Sequence, residues 1–193
     1  MSYFSDSFDK KVIKLLQSGA VGLIPSDTIY GLSCRALDEA AVVRLHKIKG
    51  RDKDKPFIIL ISTTDQLGDL GIITTDVAPA LRYWPGPLTI ICEAEGSPLW
   101  LHRGTKTLAI RQPDDKSLRG LIDKVGPIVS TSANLANKMV AYSVTGAQKY
   151  FGDQLDFYVN KGSINKKPST IIRTVFSKVE IVRQGTVRIK ETK

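Results

Sequence analysis

The sequence is poor in the residues that build metal centres and covalent cross-links: two cysteines and two histidines in 193 residues. Cys34 and Cys92 stand far apart, with no CxxC and no second pair. That excludes a disulfide framework and a thiolate zinc site, and both are expected as reduced, buried thiols. His46 and His102 are too isolated to suggest a metal cluster. No apolar run approaches the roughly 20 residues that span a bilayer. The start, Met1-Ser2-Tyr3-Phe4-Ser5-Asp6, lacks the basic-then-apolar order of a secretion signal, so a cytoplasmic location without a membrane partner is expected. The chain also has no GxxxxGK[ST], GxGxxG, GxSxG or HExxH motif. A nucleotide would therefore lack the common glycine cradle, and side chains would have to neutralise its phosphates.

Cations are what the chain has in excess. The net charge is +9, which favours polyanions through long-range attraction and counterion release without saying which polyanion. The length suits one domain over residues 1–193.

Helical spacing predicts a helix over residues 6–18. Another follows Asp38 as cap and closes at Gly50, and further ones span Asp76 to Tyr83, Ser117 to Val125 and Ser143 to Phe151. Strands are expected at Ala20 to Ile24, Phe57 to Ile61, Leu88 to Cys92, Thr107 to Arg111 and Pro127 to Ser130. The tail reads as short β segments at Thr170 to Arg173, Val179 to Arg183 and Thr186 to Ile189. Phe57 to Ile61 is apolar at every position, which suits a strand buried on both faces. Strands mixed with helices, without regular alternation, predict an α/β (α+β) domain with a mixed, twisted sheet.

Four local features could hold an anion. The turn Pro25-Ser26-Asp27-Thr28-Ile29-Tyr30-Gly31 is rich in hydroxyls, and it is followed by the cations Lys47, Lys49, Arg51, Lys53 and Lys55 around Gly50. Arginine offers a planar fork to phosphate or carboxylate, and lysine a movable point charge. A solvated charged loop, favoured by the helix dipole, explains the same cluster. Ser130-Thr131-Ser132-Ala133-Asn134 concentrates donors and acceptors, although turns and caps use these residues routinely. Arg111, ending an apolar strand, needs an anionic partner, either an internal carboxylate or a ligand, and Arg183 poses the same question.

Taken in order, further stretches join these. They are Trp84-Pro85-Gly86-Pro87-Leu88-Thr89, Ala109-Ile110-Arg111-Gln112-Pro113-Asp114, Pro168-Ser169-Thr170-Ile171 and Val182-Arg183-Gln184-Gly185. Together they cover nearly the whole chain and resemble the YrdC-like (TsaC) family of threonylcarbamoyl-AMP synthases in its short, single-domain form. The resemblance implies a twisted open sheet flanked by helices around a basic concave cavity. It implies a nucleotidyltransferase that joins L-threonine, bicarbonate and ATP into L-threonylcarbamoyladenylate and pyrophosphate, with Mg²⁺ accompanying ATP. Partner proteins would then transfer the threonylcarbamoyl group to the adenosine beside the anticodon of tRNA. By the same resemblance, Lys49 and Arg51 are the catalytic pair. Ser26, Thr28, Tyr30, Arg111 and Ser130 face threonine. Lys49, Arg51, Lys55, Ser132, Asn134, Ser169 and Arg183 hold the nucleotide. Ala136-Asn137-Lys138-Met139-Val140 departs from the family, which often has Ser-Gly and a Pro-Ser pair there. A second reading, a non-catalytic module for double-stranded RNA or tRNA, would use the positive charge equally well.

Overall fold

The computed structural model describes residues 1–52, 55–175 and 178–189; Lys53, expected in the basic cluster, lies outside the described residues. The chain opens with β1 (Tyr3–Ser5) and α1 (Lys10–Gln17), followed by β2 (Gly22–Ile24) and β3 (Gly31–Arg35). Next come α2 (Glu39–Lys49), β4 (Ile58–Leu60), α3 (Ala78–Leu81), β5 (Leu88–Glu93) and α4 (Leu99–His102). The second half carries β6 (Thr107–Arg111), α5 (Lys116–Val125), β7 (Ile128–Ser132), α6 (Val144–Phe151) and β8 (Phe157–Val159). It ends in β9 (Thr170–Val175) and β10 (Lys178–Arg183).

Local chemistry explains most boundaries. The first helix starts later than its periodicity suggests, because the Asp9 carboxylate caps it by accepting from the Lys11 and Val12 amides, and Tyr3–Ser5 pairs as a strand instead. Asp38 caps α2 by accepting from the Ala41 amide, and Gly50 ends it in the left-handed region at φ 61°, which costs glycine little. Asp115 and Ser143 cap α5 and α6 in the same way. The stretch Asp76 to Tyr83 is not one helix: a 3₁₀ turn at Thr74–Val77 precedes the short α3. The strand expected at Pro127 to Ser130 begins at Ile128 and runs on to Ser132, so Ser130, Thr131 and Ser132 of the hydroxyl-rich stretch are sheet. Thr186 to Ile189 is no strand.

The strands form one mixed sheet in the order β1-β8-β2-β3-β7-β4-β6-β5-β9-β10. Pairs β4/β6 and β5/β9 are parallel, whereas β3/β7, β4/β7 and β5/β6 are antiparallel. This is the mixed, helix-flanked sheet that the pattern predicts.

The two faces are covered unequally. On one, α2, α3, α4 and α6 pack Val42, Leu45, Ala80, Leu101 and Phe151 against Leu32, Ile59, Ile90, Ile110 and Val129. On the other, α1 and α5 cover only part of the sheet, with Val12, Leu16, Leu118 and Ile122 against Ile24, Leu60 and Ile128. The uncovered remainder of that second face is concave. No helix among the described residues is long and apolar enough to cross a membrane.

Candidate active site

Because side chains alternate across a strand, every second residue of the central strands points into the uncovered concavity. Gly31 of β3, Ser130 and Ser132 of β7, Ile58 and Leu60 of β4, Ala109 and Arg111 of β6, Ile91 of β5 and Ile171 of β9 line it. The register agrees: Ile58 sits opposite both Ser130 and Ala109, and Ala109 opposite Ile91. The cavity holds about 380 Å³, within the range of small-molecule sites. Phe57 to Ile61 is therefore buried on two faces in different senses. Phe57, Ile59 and Ile61 enter the core, while Ile58 and Leu60 floor the cavity.

Gly31 leaves room for its neighbour, since a Cβ there would stand 2.7 Å from the Ser130 hydroxyl. The Ser26 hydroxyl donates to the Ile29 carbonyl at 2.7 Å and lies 3.1 Å from the Thr28 hydroxyl, so the turn presents a fixed pair of hydroxyls at the cavity wall.

The cations are held in different ways. Arg111 is 4% exposed and ion-paired with Asp27; it also donates to the Thr28 hydroxyl at 2.9 Å and the Gly86 carbonyl at 3.1 Å. Asp27 in turn accepts from the Asp114 amide. The internal carboxylate is thus Arg111's partner, answering the question the sequence leaves open. Arg51 donates to the Pro56 carbonyl at 3.2 Å and sits over the Phe57 ring at 5.4 Å. Its Nε is buried with no hydrogen-bond partner among the described residues. Arg183 donates to the carbonyl and hydroxyl of Ser169, and the Ser169 hydroxyl also meets Thr89 at 2.8 Å. Among the described residues neither Arg51 nor Arg183 has an ion-pair partner. Burial pulls both below the ordinary arginine value, and the Arg111 cation adds to the effect at Arg183. Both remain charged near neutrality, since arginine does not lose its proton in proteins. Lys55 stands at the rim in an exposed pair with Asp52 at 2.6 Å.

Nine of the expected residues line one cavity: Ser26, Thr28, Arg51, Lys55, Arg111, Ser130, Ser132, Ser169 and Arg183. Three do not. Tyr30 falls on the opposite face of the sheet, fully buried in the core with Leu32 and Cys34. Its hydroxyl donates to the Gly162 carbonyl and accepts from the Lys161 amide, so it anchors the loop after β8 rather than meeting a ligand. Lys49 is 4% exposed behind the Ser132 wall, where its ammonium donates to the Ser132 carbonyl (2.5 Å), the Ser132 hydroxyl (3.2 Å) and the Asn134 side-chain oxygen (2.7 Å). Burial, then the Arg51 charge, lowers its pKa to about 8. Asn134 completes this network: its amide nitrogen donates to the Leu135 and Lys138 carbonyls, closing the divergent loop into a tight turn. Lys49 and Asn134 thus shape the wall from behind.

The reading of the sequence missed Asp27 and the aliphatic floor. Asp27 had only one local signal, a lone carboxylate between hydroxyls, and its partner is 84 residues away. Cys34 and Cys92 are free and buried, as expected.

In chemical terms, the cavity offers an apolar floor, a wall of small hydroxyls and two guanidinium groups without carboxylate partners among the described residues. Such a site can grip an extended anion at two points while an uncharged part lies on the aliphatic strands.

Residues 14–185 match the Sua5/YciO/YrdC family, described as telomere recombination. Threonylcarbamoyl-AMP synthase of Pseudoalteromonas translucida is 33% identical over 174 residues, covering 86% of this chain and 93% of that protein. The enzyme of the same name from Marinobacter nauticus is 32% identical over 165 residues, covering 82% and 86%. The crystal structure of P. abyssi Sua5 complexed with L-threonine superposes with a TM-score of 0.85 at 29% identity, covering 96% of this chain and 57% of that longer one. With a match across nearly all of the sheet and every wall of the cavity, this chain belongs to the Sua5/YciO/YrdC family.

Proposed function

We propose that this protein is a threonylcarbamoyl-AMP synthase. The observation that carries the proposal is the cavity in which Arg51 and Arg183 stand without ion-pair partners among the described residues, in a fold that in P. abyssi Sua5 is complexed with L-threonine. Threonine and bicarbonate combine with loss of water to the N-carboxy amino acid. A carbamate oxygen then attacks the α-phosphorus of ATP, the bond to the bridging oxygen breaks, and pyrophosphate leaves. This chemistry needs position and neutralised charge rather than a protein nucleophile. Arg51 and Arg183 hold the phosphates as charge moves onto the leaving group. Ser132, Ser169 and Lys55 complete the nucleotide side, with Lys49 and Asn134 fixing Ser132. Ser26, Thr28 and Ser130 orient threonine, and Arg111 keeps its own place through Asp27.

Among the described residues the lining contains hydroxyls and cations but no carboxylate. It thus offers no protein cage for Mg²⁺, which fits an ion carried by phosphate oxygens and water as part of MgATP. Downstream, the mixed anhydride is the activated donor for transfer to tRNA by partner proteins. The names of the relatives support this enzymatic reading over a non-catalytic RNA module.

The test supplies ATP, Mg²⁺, bicarbonate and one amino acid at a time and reads pyrophosphate. Release is expected with threonine and to depend on all components. ATP left intact in the complete mixture sinks the proposal.

A further inference from the structure

The contacts that set Arg51 in place lead back to a residue the cavity never touches. Among the described residues the Arg51 guanidinium has one hydrogen bond, to Pro56, and rests over Phe57. Phe57 is 3% exposed, and the His46 imidazole stacks on it with ring centroids 4.0 Å apart and planes at 27°. His46 lies one turn before the end of α2, buried, with its Nδ1 lacking a hydrogen-bond partner among the described residues. An imidazole held by polar contacts would be an ordinary core histidine. This one is held by its flat face. Burial depresses its pKa to about 4, helped by the charges that bear on it among the described residues, the cations Arg103 and Arg51. A third positive charge at this point would push Arg51 away, so the ring serves as an uncharged plate.

We infer that His46 is a positioning residue for the nucleotide phosphates: it fixes Phe57 from within the core, and Phe57 fixes the guanidinium of Arg51 at the cavity wall. The inference rests on the proposed role of Arg51 as a phosphate ligand. Flatness, rather than the ring nitrogens, is what the position requires.

Calorimetry with MgATP, with inorganic tripolyphosphate and with threonine tests this on the full chain. His46→Leu keeps apolar volume and removes the flat ring; His46→Phe keeps the ring. His46→Leu is expected to weaken ATP and tripolyphosphate binding about tenfold, the order of one lost cation–π contact, and to leave threonine binding unchanged. His46→Phe is expected to bind both like the wild type. In an Arg51→Ala background, His46→Leu should add nothing further, because the contact it supports is gone. A purely structural role would lower the melting temperature and leave the affinity ratios alone, and that result overturns the inference. So does equal loss in the Arg51→Ala background. If tripolyphosphate binds as expected but no adenylate forms, the enzymatic proposal fails while the positioning role stands. If the wild type binds neither ATP nor tripolyphosphate, Arg51 has no phosphate to hold and the inference falls as well.

Discussion

Arg111 and Arg51 face the same cavity and are held in opposite ways. Arg111 has its charge answered by Asp27 and its remaining donors by Thr28 and Gly86. Arg51 has a carbonyl, an aromatic face and a buried Nε with nothing to bond. A guanidinium whose demands are met inside the protein is part of the frame. One whose demands are unmet is part of the site. The same contrast separates Arg183, tied to Ser169 without an ion-pair partner among the described residues, from Arg44, tied to Asp156 away from the cavity.

The most severe way to test the contrast is to remove Asp27. Asp27→Ala leaves the buried Arg111 charge unanswered and is expected to cost about 3–5 kcal/mol of stability by denaturant unfolding. Replacing both partners, Asp27→Leu with Arg111→Met, should recover most of that loss. If Asp27→Ala unfolds like the wild type, Arg111 is not frame. Arg51→Ala should do the reverse, lowering kcat/KM for ATP by about 10²–10³, the range for one preorganised charge donor, with an unchanged melting temperature. Arg183→Lys keeps the charge but loses the fork that Ser169 orients, and a fall of about tenfold in kcat/KM for ATP is expected.

A pH-dependent effect on stability belongs to Lys49. Its pKa falls from an ordinary 10.5 to about 8 in the folded protein, because burial and the neighbouring Arg51 disfavour the ammonium. Between these values the unfolded chain binds more protons than the folded one, so stability should rise with pH from about 8 to 10.5. Below about pH 8 the penalty for burying the charge is present in full. The difference in unfolding free energy between wild type and Lys49→Met, followed across that window, isolates this slope. A flat difference would mean the ammonium pays no burial penalty.

How far the sequence discloses all this depends on the range of the interactions. Local signals gave α2 with both its caps, the strand ending in Arg111, and the stretches whose side chains meet in the cavity. Asp27's partner could not be read, since nothing local joins a turn at residue 27 to a strand end 84 positions later. Tyr30 was misplaced for a different reason. Without recognising β3, alternation could not be applied, and alternation is what sends Tyr30 to the core while Gly31 faces the cavity. Lys49 read as a phosphate-facing cation because it sits in a run of other cations. Only the packed strand β7 shows that its ammonium is enclosed by Ser132 and Asn134.

The alternation also joins the fate of the cavity to that of the core. Along β4, β6 and β7 lining residues sit next to core residues, with Ile58, Ala109 and Ser130 beside Ile59, Ile110 and Val129. Inserting or deleting a single residue in any of these strands would exchange the two sets, placing serines in the core and isoleucines in the cavity. Length variation is therefore closed to this sheet as a route of divergence. Related proteins can retune the ligand only by changing side chains at fixed positions, or by remodelling the loops beyond the strand ends.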